Sequence, residues 1–187
     1  MIDHKIIITG PVAAGKTTAI KAVSDVMHVS TDESASDMTN STKSSTTVAM
    51  DYGVIKLDGG QKIHLYGTPG QERFDFMWDI LAQGGIGLVL LINNSAKQPL
   101  ADLDFFIAKF RDFIAKTGLV IGVSKLDQNA EPNLNKYHER YAALAKKHDL
   151  SPVVPIFETD ARLKEDIAML LEALLFSLDT ELSKQHV

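Results

Sequence analysis

Residues 10–18 read GPVAAGKTT, directly after the apolar run KIIIT at Lys5–Thr9. The spacing G-x-x-x-x-G-K-[ST], placed between a predicted strand and a predicted helix, is that of a phosphate-binding loop. Gly10 and Gly15 let the backbone curl until its N–H groups converge on a polyphosphate, and the helix that follows turns its positive end to the same anion. Lys16 reaches the outer phosphates, and the Thr17 hydroxyl suits Mg²⁺. Gly10, Ala13, Ala14, Gly15, Lys16, Thr17 and Thr18 are therefore the expected phosphate contacts, and the chain is read as binding a nucleoside phosphate.

Working outward, short apolar runs alternate with helical patterns. A helix is predicted from about Gly15 to Val26. Residues 47–57 and 61–66 flank Asp58-Gly59-Gly60, a hairpin signal. Ile86–Ile92, Leu119–Val123 and Val153–Phe157 are rich in Val, Ile and Leu, as buried parallel strands are. Between them, residues 100–116 place Leu103, Phe106, Ile107, Phe110 and Ile114 on one helical face, and 133–148 and 163–178 behave similarly. This alternation predicts an α/β three-layer sandwich: a six-stranded, mostly parallel sheet with one antiparallel edge strand and about five helices.

The 187 residues suit one domain, 1–178, followed by a flexible tail at 179–187. A hydrophobic fraction of 45% supplies a core. The net charge of −5 argues against a nucleic-acid partner. The absence of cysteine excludes disulfides and thiolate metal sites. No signal segment, lipidation site or long apolar run is apparent, so a cytoplasmic protein without a direct membrane anchor is expected. The six histidines show no metal-ligand spacing and are read as incidental.

Residues 30–47 differ from their surroundings: 11 of 18 are Ser or Thr, and only Ala35 and Met38 are apolar. Such a stretch buries little and is either a plain surface loop or one ordered by a ligand. Downstream, GVSKLDQ (122–128) follows a buried strand. Asp127 is placed to accept from guanine N1–H and its exocyclic amine, a donor pair that adenine lacks on that edge, and the stem of Lys125 can lie against the base.

At this point the chain resembles the Ras-like small GTPases over nearly its whole length. AAGKTT is similar to the Arf-type phosphate loop, GTPGQERF (67–74) to the second-switch motif DTAGQERF, SKLD to NKxD, ETDAR (158–162) to the ETSAK loop, and TVAMDY (47–52) to TIGVDF. Within that family the likeness is closest to bacterial MglA-like GTPases associated with roadblock-type partners. The resemblance implies a P-loop NTPase fold, a GTP/GDP-binding molecular switch that hydrolyses GTP slowly, and a protein effector or activating protein, with the roadblock/LC7 type as the candidate. It implies that Gln71 and Lys16 are catalytic, Gln71 orienting the attacking water. Gly70, Ser124, Lys125, Asp127, Asp160, Ala161 and Arg162 join the nucleotide contacts, Thr17 and Thr47 hold Mg²⁺, and residues 30–47 become the first switch loop.

Three positions depart from the family pattern. Gly67 stands where an aspartate usually supports the magnesium ion, and Asp51, Asp32 or Glu33 are the candidates to compensate. Ser124 replaces the asparagine that braces the phosphate loop, and its shorter side chain is expected to reach only one of the usual partners. Asp160 replaces a serine. No arginine lies in the first switch; Arg73, two residues from Gln71, is the candidate internal finger, although in relatives this residue more often anchors the second switch. Phe74, Met77 and Trp78 either form a docking patch or pack the second helix on the sheet. The alternative function is a nucleotide-bound scaffold with negligible hydrolysis. An ATP-using P-loop kinase is a weaker reading, since no lid or second-substrate site is evident.

Overall fold

A computed structural model describes residues 3–26, 29–30, 50–70, 76–128 and 133–184. Among the described residues there are seven strands: β1 (His4–Thr9), β2 (Val29–Ser30), β3 (Asp51–Lys56), β4 (Lys62–Gly67), β5 (Gly87–Asn93), β6 (Gly118–Ser124) and β7 (Ile156–Thr159). The described residues also form five α-helices, α1 (Lys16–Val23), α2 (Phe76–Ala82), α3 (Pro99–Ile114), α4 (Asn135–His148) and α5 (Lys164–Lys184). The strand order is β2-β3-β4-β1-β5-β6-β7. From β4 to β7 every pairing is parallel; β3 runs antiparallel to β4, and the two-residue β2 adds antiparallel to β3. The expected six-stranded, mostly parallel sheet is thus present, with β2 as a short addition that has no periodicity to read.

Alternation along the central strands divides the core into two layers. Leu88, Leu90 and Ile92 of β5 pack with Trp78, Phe106, Phe110 and Tyr141 on the face covered by α2, α3 and α4. Val89 and Leu91 pack with Ile20, Leu170 and Leu174 on the face covered by α1 and α5. All five residues assigned to the apolar face of α3 are buried. Fully burying a side chain of this size contributes about 1.5–3 kcal/mol, so the two layers hold the sheet rigid beneath the loops.

From β1 the chain goes toward β4, and from β5 it goes the other way, toward β6. A crevice therefore opens at the carboxyl ends of β1 and β5, where ligands of open α/β sheets bind. Among the described residues no helix is long and apolar enough to cross a membrane. The helix α5 continues to Lys184, into the stretch expected as a tail. Residues 31–49 with Thr47, and residues 71–75 with Gln71, Arg73 and Phe74, lie outside the described residues.

Candidate functional site

The phosphate loop joins β1 to α1 in the crevice. Two glycines make its path available. Gly10 has φ +142°, and a Cβ there would sit 2.1 Å from the Leu91 carbonyl oxygen; Gly15 has φ +101°, and its Cβ would meet the Ala161 methyl at 2.7 Å. No other residue type combines those dihedrals with those approaches. Lys16, at the first position of α1, is only 8% exposed. Its Nζ donates to the Gly10 carbonyl at 2.8 Å and the Pro11 carbonyl at 2.7 Å, curling back over the loop. Burial lowers its pKa to about 8, with Asp51 opposing the shift.

Thr17 Oγ1 donates to Asp51 Oδ2 at 2.5 Å. Asp51 opens β3 and pairs in register with Gly67 at the end of β4. A carboxylate thus stands one strand over from Gly67, against the Thr17 hydroxyl. A side chain at 67 has no room, because its Cβ would lie 2.9 Å from Asp51 Cβ and 2.9 Å from Ile20 Cδ1. Of the three acidic candidates, Asp51 is the one placed here; Asp32 and Glu33 lie outside the described residues. Beyond Gly67, Thr68 is tied to β1 by its N–H to the Ile8 carbonyl (2.9 Å) and by a hydroxyl pair with Thr9 (2.8 Å). Gly70 abuts the phosphate loop: a Cβ on it would come within 2.7 Å of Lys16 Nζ.

The segment after β4 is anchored by an interaction that sequence patterns do not reveal. Trp78 Nε1 donates to the Pro69 carbonyl at 3.1 Å, and the indole stacks on Phe106 and Phe110 with centroids 5.2 and 5.5 Å away. Trp78 thus belongs to the core, Met77 is half-buried, and Phe76 and Ile80 are the exposed apolar residues of α2.

On the far side of the loop, Ser124 Oγ lies 3.1 Å from the Ala14 carbonyl and 3.2 Å from the Ile92 carbonyl. One hydroxyl proton is shared between these acceptors, so the short side chain reaches the phosphate loop. Lys125, at φ +56°, lays its stem across the loop and donates from Nζ to the Ala13 carbonyl at 3.3 Å. Asp127 is exposed in a short 3-10 turn, Leu126–Gln128. The loop after β7 closes this side. Asp160 accepts from the Arg162 N–H at 2.9 Å and from its guanidinium at 2.6 Å, while the Asp160 N–H donates to Asp166 at 2.7 Å. The Arg162 guanidinium holds the Asp160 carboxyl down at about 2. Ala161 packs against Gly15, and Thr18 is exposed at the start of α1. The structure thus gathers Gly10, Ala13, Ala14, Gly15, Lys16, Thr17, Gly70, Ser124, Lys125 and Ala161 around one loop, with Asp127, Asp160 and Arg162 at its edge.

Against known proteins, the chain is 31% identical over 95 residues to an uncharacterized protein of Methanocaldococcus jannaschii, which covers 51% of this chain and 53% of the relative. The chain thus spans about half the length of the curated relative it matches. A family model described as "conserved hypothetical ATP binding protein" matches residues 8–184. This match overturns the expected membership of the Ras-like small GTPases and of their MglA-like branch. The cause lies in what short motifs record. G-x-x-x-x-G-K-T and S-K-x-D state what phosphate and base binding require of a backbone, and such requirements recur on one fold across families. A match along residues 8–184 also weighs the strands and helices between them, and on that basis the chain belongs to the ATP_bind_1 family of conserved hypothetical ATP binding proteins, a nucleotide-binding family.

Proposed function

We propose that the chain binds guanosine phosphates with Mg²⁺ and hydrolyses GTP to GDP slowly. The observation that carries this reading is the junction of the base-side loop with the phosphate loop. Lys125 spans from Asp127's turn to the Ala13 carbonyl, so a nucleotide whose phosphates lie in the loop meets the Asp127 carboxylate with its base. An ionised carboxylate only accepts hydrogen bonds, and guanine presents two donors on that edge where adenine presents none. The family description favours a second reading, ATP.

The oxygen donors beside the loop fit a hard divalent cation. Thr17, Asp51 and, outside the described residues, Thr47 would hold Mg²⁺, which when bound neutralises charge on the phosphate oxygens. Lys16 leaves the Gly10 and Pro11 carbonyls for the outer phosphates, exchanging neutral acceptors for charged ones. Gln71 orients the attacking water. Catalysis on this reading is positioning and charge stabilisation.

The test is the nucleotide released when freshly purified protein is heat-denatured and chromatographed. GDP or GTP is expected; ADP or ATP overturns the guanine assignment. If the protein is empty, competition between labelled GDP and ADP decides, and a preference for ADP has the same force. Asp127→Asn should move preference toward xanthosine diphosphate, because an amide both donates to the xanthine 2-carbonyl and accepts from N1–H. Single-turnover hydrolysis by Gln71→Leu should be much slower than by the parent, and equal rates would sink the hydrolytic role.

A further inference from the structure

Beyond the nucleotide reading and independent of it, we propose a second ligand site, for a small anion bearing a carboxylate or phosphate. It is the cleft between the β5–α3 turn and the first turn of α4. The cleft has a volume of about 510 Å³ and is lined by Asn94, Lys97, Gln98, Pro99, Leu100 and Lys136 among others. That volume lies within the range of about 300–1,000 Å³ common to small-molecule sites.

The second observation is Asn94 itself. Its side chain is 1% exposed, and its Oδ1 accepts from the Tyr137 hydroxyl at 2.7 Å. Its Nδ2 is buried and has no hydrogen-bond partner. Exchanging the amide's N and O would not remove the anomaly. The Tyr137 phenol stays protonated, its pKa pushed up to about 12 by burial and by the Asp102 carboxylate, and Asn94 Oδ1 takes its proton. Buried amide donors are almost always paired, so this one awaits an acceptor.

The groups around it select the acceptor's charge. Lys97 and Lys136 are two cationic residues of the cleft lining; the Lys136 Nζ lies over the Tyr137 ring, 5.2 Å from its centroid. The opening turn of α3, a 16-residue helix, faces the same space: Gln98 at its N-cap makes no side-chain capping bond, and Pro99 has no N–H to offer. The Leu100 N–H is therefore the first donor of that terminus. Asp102 is the one carboxylate of that turn and faces Tyr137. Donors and cations thus dominate a wall that an oxyanion complements.

The experiment removes the phosphate loop from the measurement. Lys16→Ala protein, full length, is titrated with inorganic phosphate and separately with malonate at constant ionic strength, following ¹H–¹⁵N spectra. The Asn94 side-chain amide and the Leu100 amide should shift in a saturable manner. Saturation by phosphate alone identifies a phosphate site, and by malonate alone a carboxylate site. Asn94→Asp keeps an acceptor for Tyr137 and replaces the donor with a negative charge, so it should abolish the shift. Lys97→Glu, at an exposed position, should weaken binding at least tenfold, and well-dispersed spectra verify that both variants fold. Absence of a saturable shift with either anion, meaning that water alone fills the cleft, overturns the proposal, as does undiminished binding by Asn94→Asp.

Discussion

Asp51 and Gly67 face each other across the antiparallel β3/β4 pair, so closely that a methyl group on residue 67 would stand 2.9 Å from Asp51 Cβ. The carboxylate and the empty position are therefore one arrangement, and changing either disturbs the other. Gly67→Ala should destabilise the protein by about 1–3 kcal/mol through overpacking, read as a lower urea midpoint. Asp51→Gly in the same chain should recover part of that loss, and a double-mutant cycle measures the coupling.

Asp51→Asn keeps an oxygen for the Thr17 hydroxyl and removes the charge. If Asp51 supports the divalent ion, the Mg²⁺ concentration needed to slow nucleotide release should rise about 10- to 100-fold, the usual cost of losing a supporting carboxylate. Release of a fluorescent nucleotide across a magnesium titration measures it. An unchanged midpoint removes Asp51 from the ion's environment.

Lys16 links ligand binding to protons. In the empty protein its ammonium titrates near pH 8 because it is buried, whereas a bound polyphosphate favours the charged form. Nucleotide binding at about pH 9 should therefore take up most of one proton, and at pH 6, where the ammonium is already formed, nearly none. Calorimetry in two buffers of different ionisation enthalpy reads the difference directly. For the empty protein, the unfolded lysine keeps its proton to about pH 10.4. This group then makes folding more favourable as pH rises from about 8 toward that value, and the contribution vanishes below pH 8.

The chain's single tryptophan reports on the phosphate loop. Trp78 holds the Pro69 carbonyl, next to the Gly70 that abuts Lys16, so its emission should change when nucleotide enters. Trp78→Phe keeps an aromatic ring in the stack and deletes the donor, leaving the Pro69 carbonyl short of a partner. A loss of about 1–3 kcal/mol is expected, measured by circular dichroism during urea unfolding.

The phosphate loop was legible because each of its residue types is dictated by a backbone path or a charge, and the face of α3 because its spacing admits one period. Element ends were less so, for local chemical reasons. The helix α1 stops at Val23 and not near Val26, since Ser24 Oγ takes up the Val54 N–H at 3.1 Å and bonds the Val26 carbonyl at 3.0 Å. The last strand starts at Ile156 and not Val153, because Pro155 has no N–H to give a ladder. Asp51 could be named only among three carboxylates, as pairing register, which a single sequence does not display, decides which one meets Thr17. Asn94, whose significance depends on a missing partner, has no sequence signal at all.

The crowding at Gly67 also ties two positions of the sequence together. With Asp51 and Ile20 occupying the space, an aspartate at the end of β4 would require Asp51 or Ile20 to give way. A side chain at residue 67 and the present Asp51 side chain thus compete for one space, so that a larger residue at either position is best accommodated when the other shrinks.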